Sequence, residues 1–66
     1  MILTVNGEKR QVPDGITVAD LVRELGLHKS ACAAEVNRTL VPRREQATTP
    51  LKDGDVVELV TLVGGG

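Results

Sequence analysis

One helix, fenced at both ends, constrains this chain more than any other feature. Thr17 stands where an N-cap belongs, and Asp20, three residues on, completes a short capping box. Val18, Leu21, Val22 and Leu25 follow at i, i+3, i+4 and i+7, a single apolar stripe. Gly26 falls at the position of a left-handed C-cap, and Leu27 at that of the hydrophobic contact after it. One stripe packs on one sheet face, so the remainder of the chain has to supply that sheet.

It reads as though it does. Met1 to Val5 and Glu8 to Val12 are two short strands joined by Asn6-Gly7, residues that tolerate the positive φ of a tight hairpin. Alternation turns Leu3, Val5 and Val12 inward, Thr4 and Gln11 to water, and leaves Ile2 as an aliphatic on the outer face. Pro13-Asp14-Gly15 opens the loop to the helix. After the helix, Ala31 to Val36 places Cys32, Ala34 and Val36 on one face and Ala33 and Glu35 on the other. Asn37-Arg38 turns the chain, Leu40-Val41 pairs briefly, and Pro42, lacking an N–H, stops the pairing. Arg43 to Thr49 is polar, a helical turn and loop that Pro50 keeps short, with Leu51 as a plug from the edge.

Asp53-Gly54-Asp55 is a second strong turn, and Val56 to Val63 is the longest strand. With Val57, Leu59 and Thr61 inward, Glu58, Val60 and Leu62 face out. Exposed Val60 and Leu62, joined by Ile2 and by Val63 at the strand's end, form a candidate docking patch at the base of the chain's last residues. The order is strand, strand, helix, strand, short strand, long strand. It specifies an α+β fold: a mixed sheet of four to five strands, one helix across one face, and the last strand central and parallel to the first. That is the β-grasp arrangement.

Composition removes several functions. At 66 residues the chain is one domain near the lower limit for folding without metal or disulfide help, too small for a large internal active site. Eight Lys+Arg against nine Asp+Glu, a net charge of -1 and no aromatic residue leave neither a positive field nor stacking rings for nucleic acid. No apolar run approaches a membrane span and no signal-peptide pattern opens the sequence, so a cytoplasmic protein without a membrane partner is expected. One His and one Cys make no tetrahedral metal set. His28, just past the helix, reads as a surface residue or dipole partner, with no nucleophile or orienting acid beside it in sequence. Cys32 is an inward, small core hydrophobe; a nucleophilic role would require an exposed thiol of low pKa. Arg43-Arg44 is a solvated pair or a steering charge for an acidic partner.

What remains is the end of the chain. Residues 1–63 read as the folded domain and 64–66 as a flexible glycine tail. Gly64 and Gly65 are thin enough to thread a narrow channel, and three extended residues reach about 10 Å past the last strand. By elimination the reactive group with the best access is the carboxylate of Gly66.

Val36-Asn37-Arg38-Thr39-Leu40-Val41-Pro42-Arg43, then Leu51-Lys52-Asp53-Gly54-Asp55-Val56-Val57-Glu58, then Val63-Gly64-Gly65-Gly66 resemble the ThiS family of thiamine-biosynthesis sulfur carriers, ubiquitin-like β-grasp proteins. The resemblance covers the whole chain. The third glycine, Gly64, departs from it, since a bulkier residue also occurs there in the family. It implies a carrier rather than an enzyme. A ThiF-like adenylyltransferase, supplying the ATP and magnesium, would convert the Gly66 carboxylate to an acyl-adenylate. A sulfur donor, a cysteine desulfurase or persulfide relay, would then leave a thiocarboxylate that feeds a ThiG-like thiazole synthase. Two rival readings remain at this point: a carrier for another product, such as the small subunit of molybdopterin synthase or a carrier for cysteine or siderophore synthesis, and a β-grasp interaction module whose tail is inert.

Overall fold

A computed structural model describes residues 1–28 and 31–62, Leu62 by its backbone alone. The expected tail 64–66, and Val63 before it, lie outside the described residues. The elements are β1 (Ile2–Val5), β2 (Glu8–Gln11), α1 (Val18–Glu24), β3 (Ala31–Val36), β4 (Thr39–Val41), a 3-10 helix (Arg43–Thr48) and β5 (Val56–Leu62). One five-stranded sheet runs β2-β1-β5-β3-β4. β5 is central, parallel to β1 and antiparallel to β3, the arrangement expected from the order of elements.

Both hairpins close on an asparagine. Asn6 and Asn37 adopt φ of 50° and 51°, the left-handed region, and each is followed by a second positive-φ residue, Gly7 or Arg38. Two consecutive positive φ values make the tight turn whose twist matches the flanking strands.

The helix forms for the reasons its sequence advertises. The Thr17 hydroxyl accepts from the Asp20 N–H (3.1 Å), and the Asp20 carboxylate accepts from the Thr17 N–H (3.0 Å). At the other end Leu27 N–H donates to Val22 C=O and Gly26 N–H to Arg23 C=O, the paired bonds of a Schellman cap, with Gly26 at φ 75°. The hydrogen bonds from Thr17 hold the Asp20 carboxyl below its ordinary value of 3.8. A lowered folded-state value means the contribution is present above the unfolded value, near pH 4, and is lost as pH falls through the folded one. Asp20→Asn is therefore expected to flatten the acid limb of a stability–pH curve. Thr17→Ala should cost about 1 kcal/mol at neutral pH, read by urea melts; an unchanged curve in both variants would dismiss the cap as a stabiliser.

α1 lies across one face and buries Val18, Leu21 and Val22 against Leu3 and Val5 of β1, Ala34 of β3 and Val57 and Leu59 of β5. Val12, Cys32, Val41 and Leu51 complete the core. Leu51 is drawn in because its segment is stitched to the loop before the helix: Val18 N–H donates to Thr49 C=O and Leu51 N–H to Ile16 C=O, around a bridge between Thr17 and Pro50. The sequence pattern did not anticipate Gln46, a polar residue of the 3-10 helix that is only 7% exposed. Its side-chain amide donates to the Cys32 C=O (3.1 Å), which satisfies a polar group inside the molecule and ties the 3-10 helix to β3.

Candidate functional site

The face of the sheet away from α1 is open, and it is the side on which the sequence placed its docking residues. Of these, Ile2 is 50% and Val60 58% exposed. Two further aliphatics that the sequence reading did not single out, Val56 and Leu40, are exposed as well. Each occupies an outward position by the same alternation, so the signal was present. The side chain of Leu62 lies outside the described residues.

Register shows how these residues are spread. Gly54 N–H bonds the Ile2 carbonyl, so Ile2 stands level with Gly54, two residues before β5 begins. Val60 is six residues further along, about 20 Å at strand rise. Ile2 therefore does not gather with Val60 at the base of the tail; its neighbours are Thr4 and the Val56 end of β5. Beside Val60 stands Ala33 of β3. Between Val60 and Val56 is Glu58, placed directly opposite Glu35, whose other cross-strand neighbour is Leu40. The face thus alternates along β5: aliphatic, acidic pair, aliphatic. Like charges directly opposite one another are destabilising in a sheet, so the pair is not there to hold β3 to β5.

The segments that carry the family resemblance turn out to build the seat of β5. Asn37, from the first, accepts the Val56 N–H on its side-chain oxygen (3.0 Å) and donates its amide to Asp55 (3.0 Å). Asp55, from the second, also accepts the Lys52 N–H (2.8 Å), and Asp53 accepts the Ile2 N–H (2.7 Å). These polar groups close a knot of turns around the point where the central strand begins.

The helix side offers a hollow of about 170 Å³ between α1, the 3-10 helix and β3, bordered by Arg23, His28, Cys32, Arg43 and Gln46. It brings His28 near a thiol, the combination a nucleophilic enzyme would need. The thiol is unsuited to that use. Cys32 is buried, and desolvation pushes its pKa up, only partly offset by the Val60 backbone. A thiol activated by a neighbouring cation moves the other way. No carboxylate borders the hollow among the described residues to orient the imidazole. Thiol reagents are expected to label Cys32 slowly in the folded protein and rapidly in denaturant; fast labelling under native conditions would restore the nucleophile reading. Among the described residues no three His, Cys, Asp or Glu side chains come together as metal ligands, and no helix is long and apolar enough to cross a membrane.

A five-stranded mixed sheet, one helix on one face, and a central last strand running out toward the end of the chain define a ubiquitin-like β-grasp protein. The profile of the ThiS family matches residues 3–66. Over 62 residues the chain is 37% identical to the sulfur carrier protein ThiS of Thermus thermophilus, covering 94% of this chain and 95% of that one. It is 39% identical over all 66 residues to a thiazole synthase of Paramagnetospirillum magneticum, of which it spans only 20%. The crystal structure of a thiamine biosynthesis protein (ThiS) from Geobacter metallireducens superposes with a TM-score of 0.84 at 33% identity, covering the whole of both chains. This chain belongs to the ThiS family.

Proposed function

We propose that this protein is a sulfur carrier for thiamine biosynthesis, a co-substrate modified at the carboxylate of Gly66 rather than a catalyst. The observation that carries the reading is that the family match runs through the terminal glycines, residues 3–66, on a fold whose central strand leads to them. A carboxylate is a poor electrophile. Attack of a Gly66 oxygen on the α-phosphorus of ATP, in an adenylating partner that holds the magnesium, expels pyrophosphate and gives an acyl-adenylate. The terminal sulfur of a persulfide then attacks the acyl carbon and displaces AMP. A second thiol attacks the donor's sulfur in the resulting acyl disulfide, forming a disulfide with the donor and leaving the thiocarboxylate on the chain. Gly64 and Gly65 let this end enter one active site to be loaded and another to be emptied.

The polypeptide named thiazole synthase in Paramagnetospirillum magneticum contains a segment similar to the whole of this chain. Tethering two modules raises their effective concentration, which benefits modules that must meet. That supports a thiazole synthase as the recipient of the sulfur here. The open sheet face is the docking surface for these partners, and its alternation states their chemistry. A complementary surface sets apolar groups against Val56 and Val60 and a basic side chain between Glu35 and Glu58.

The test is intact mass after incubation with an adenylating enzyme of the family, ATP and a persulfide donor. An oxygen-to-sulfur gain supports the carrier, and transfer of that sulfur to thiazole synthase but not to a molybdopterin synthase large subunit fixes the product. Absence of any gain turns the reading toward an interaction module. Val60→Asp, at an exposed position, is expected to leave the thermal melt near that of the parent while weakening binding to the adenylating partner by about tenfold or more. Undiminished binding would remove this face from the docking surface.

A further inference from the structure

β5 loses one of its two neighbours partway along. β1 pairs with it only at Thr4–Val56 and Val5–Val57, because β1 ends at Val5 and turns away through Asn6-Gly7. The Asn6 N–H still reaches the Val57 carbonyl (2.9 Å). The next β5 residue facing that side is Leu59, and among the described residues no strand backbone meets it. Its partner is the Asn6 side chain: the Leu59 N–H donates to Asn6 Oδ1 (2.8 Å), and Asn6 Nδ2 donates to the Leu59 carbonyl (3.2 Å). A primary carboxamide presents one acceptor and one donor side by side, as a peptide edge does, so Asn6 adds one more rung after the backbone has left. Beyond it, among the described residues, Val60, Thr61 and Leu62 are paired with β3 alone.

We propose that Asn6 is a positioning residue for the modified end of the chain: its carboxamide, acting through Leu59, fixes the height and direction at which β5 leaves the sheet. Only a few side chains suit the place. The left-handed φ of 50° excludes most residues, and an aspartate there accepts one bond without donating the other. A glycine keeps the turn and removes the rung. Without the rung, β5 is free to hinge about its β3 side from Leu59 onward. The carboxylate then spends less time where an active site requires it, while Val56, Glu58 and Glu35 of the docking face lie before the hinge and only Val60 moves with it.

The role rests on the carrier reading, and the experiment separates the two. Asn6→Gly, Asn6→Asp and the parent chain are compared by amide hydrogen exchange, which needs no partner, and by steady-state modification with the adenylating enzyme, ATP and persulfide donor. Exchange at Leu59, normalised to Leu21 in the core, is expected to rise about two- to tenfold in Asn6→Gly, the range for one net hydrogen bond, and less in Asn6→Asp. In modification, kcat is expected to fall about threefold or more in Asn6→Gly with a smaller change in KM for the carrier, and Asn6→Asp to lie between. Faster exchange with kcat and KM at the parent's values would reduce Asn6 to a structural bond. Unchanged exchange would show that the rung does not hold β5 at all. A parent chain that gains no sulfur overturns the carrier reading, and the positioning role with it, whatever exchange reports.

Discussion

A chain lacking Gly66 is expected to bind the adenylating partner as the full chain does and to gain no sulfur at a measurable rate. The shortened chain still ends in a glycine carboxylate, so the chemistry of the group is untouched. What changes is reach: the carboxylate retreats by one residue, about 3.3 to 3.6 Å. Reaction requires the attacking oxygen within about 3 to 3.5 Å of phosphorus, and misplacement by about 1 Å can already cost about 100-fold. The register of β5 makes the retreat hard to recover. The strand is paired with β3 as far as Leu62 and with Asn6 at Leu59, so sliding it outward would break the ladder and turn every inward side chain of β5 to the wrong face. Intact mass read over time for both chains, beside a binding titration, makes the comparison. Sulfur gained by the shortened chain at the parent's rate would show that distance is not controlled, and the carrier reading would lose its geometric basis.

Leu21→Ala is expected to destabilise the fold by about 2 to 5 kcal/mol, with Leu40→Ala as the near-neutral contrast. Leu21 is completely buried at the centre of the helix stripe, whereas Leu40 is 61% exposed on the open face. The removed methyls leave a hole that the surroundings cannot easily fill. With no aromatic residue in the chain, the core around it is made of Val, Leu, Ala and one Cys. A domain of this length has a total stability of about 3 to 10 kcal/mol, so the substitution consumes much of it. Urea melts followed by far-UV circular dichroism decide the matter. Equal midpoints for the two variants would mean the helix does not pack where it is described.

Much of this fold was legible because its signals are local. The capping box at Thr17 and Asp20, the glycine cap at Gly26, the turns at Asn6-Gly7, Asn37-Arg38 and Asp53-Gly54-Asp55 and the alternation along β1, β3 and β5 each involve residues a few positions apart. They are governed by backbone sterics and short hydrogen bonds that the folded state inherits unchanged. The strand ends came out shorter than the apolar pattern suggested, Val12 lying past β2 though buried. Regular strand stops there because β1 begins at Ile2, yet the Val12 N–H still donates to the Met1 carbonyl and the Val12 carbonyl accepts from the Met1 amine, and its side chain stays over the core.

The candidate site was legible in kind but not in layout. Alternation gave the outward position of Ile2 and Val60, yet it was silent on their separation, because distance across a sheet depends on register between strands, not on either strand's pattern. The opposition of Glu35 and Glu58 and the burial of Gln46 arise in the same way, from residues brought side by side by the whole topology. Asn6 shows the division most clearly. By itself the sequence determined that an Asn-Gly turn follows β1, since few residues tolerate that backbone. Only the tertiary structure decided that the same side chain completes the central strand at Leu59, 53 positions away, because a free carboxamide bonds whichever strand edge the packed sheet carries past it.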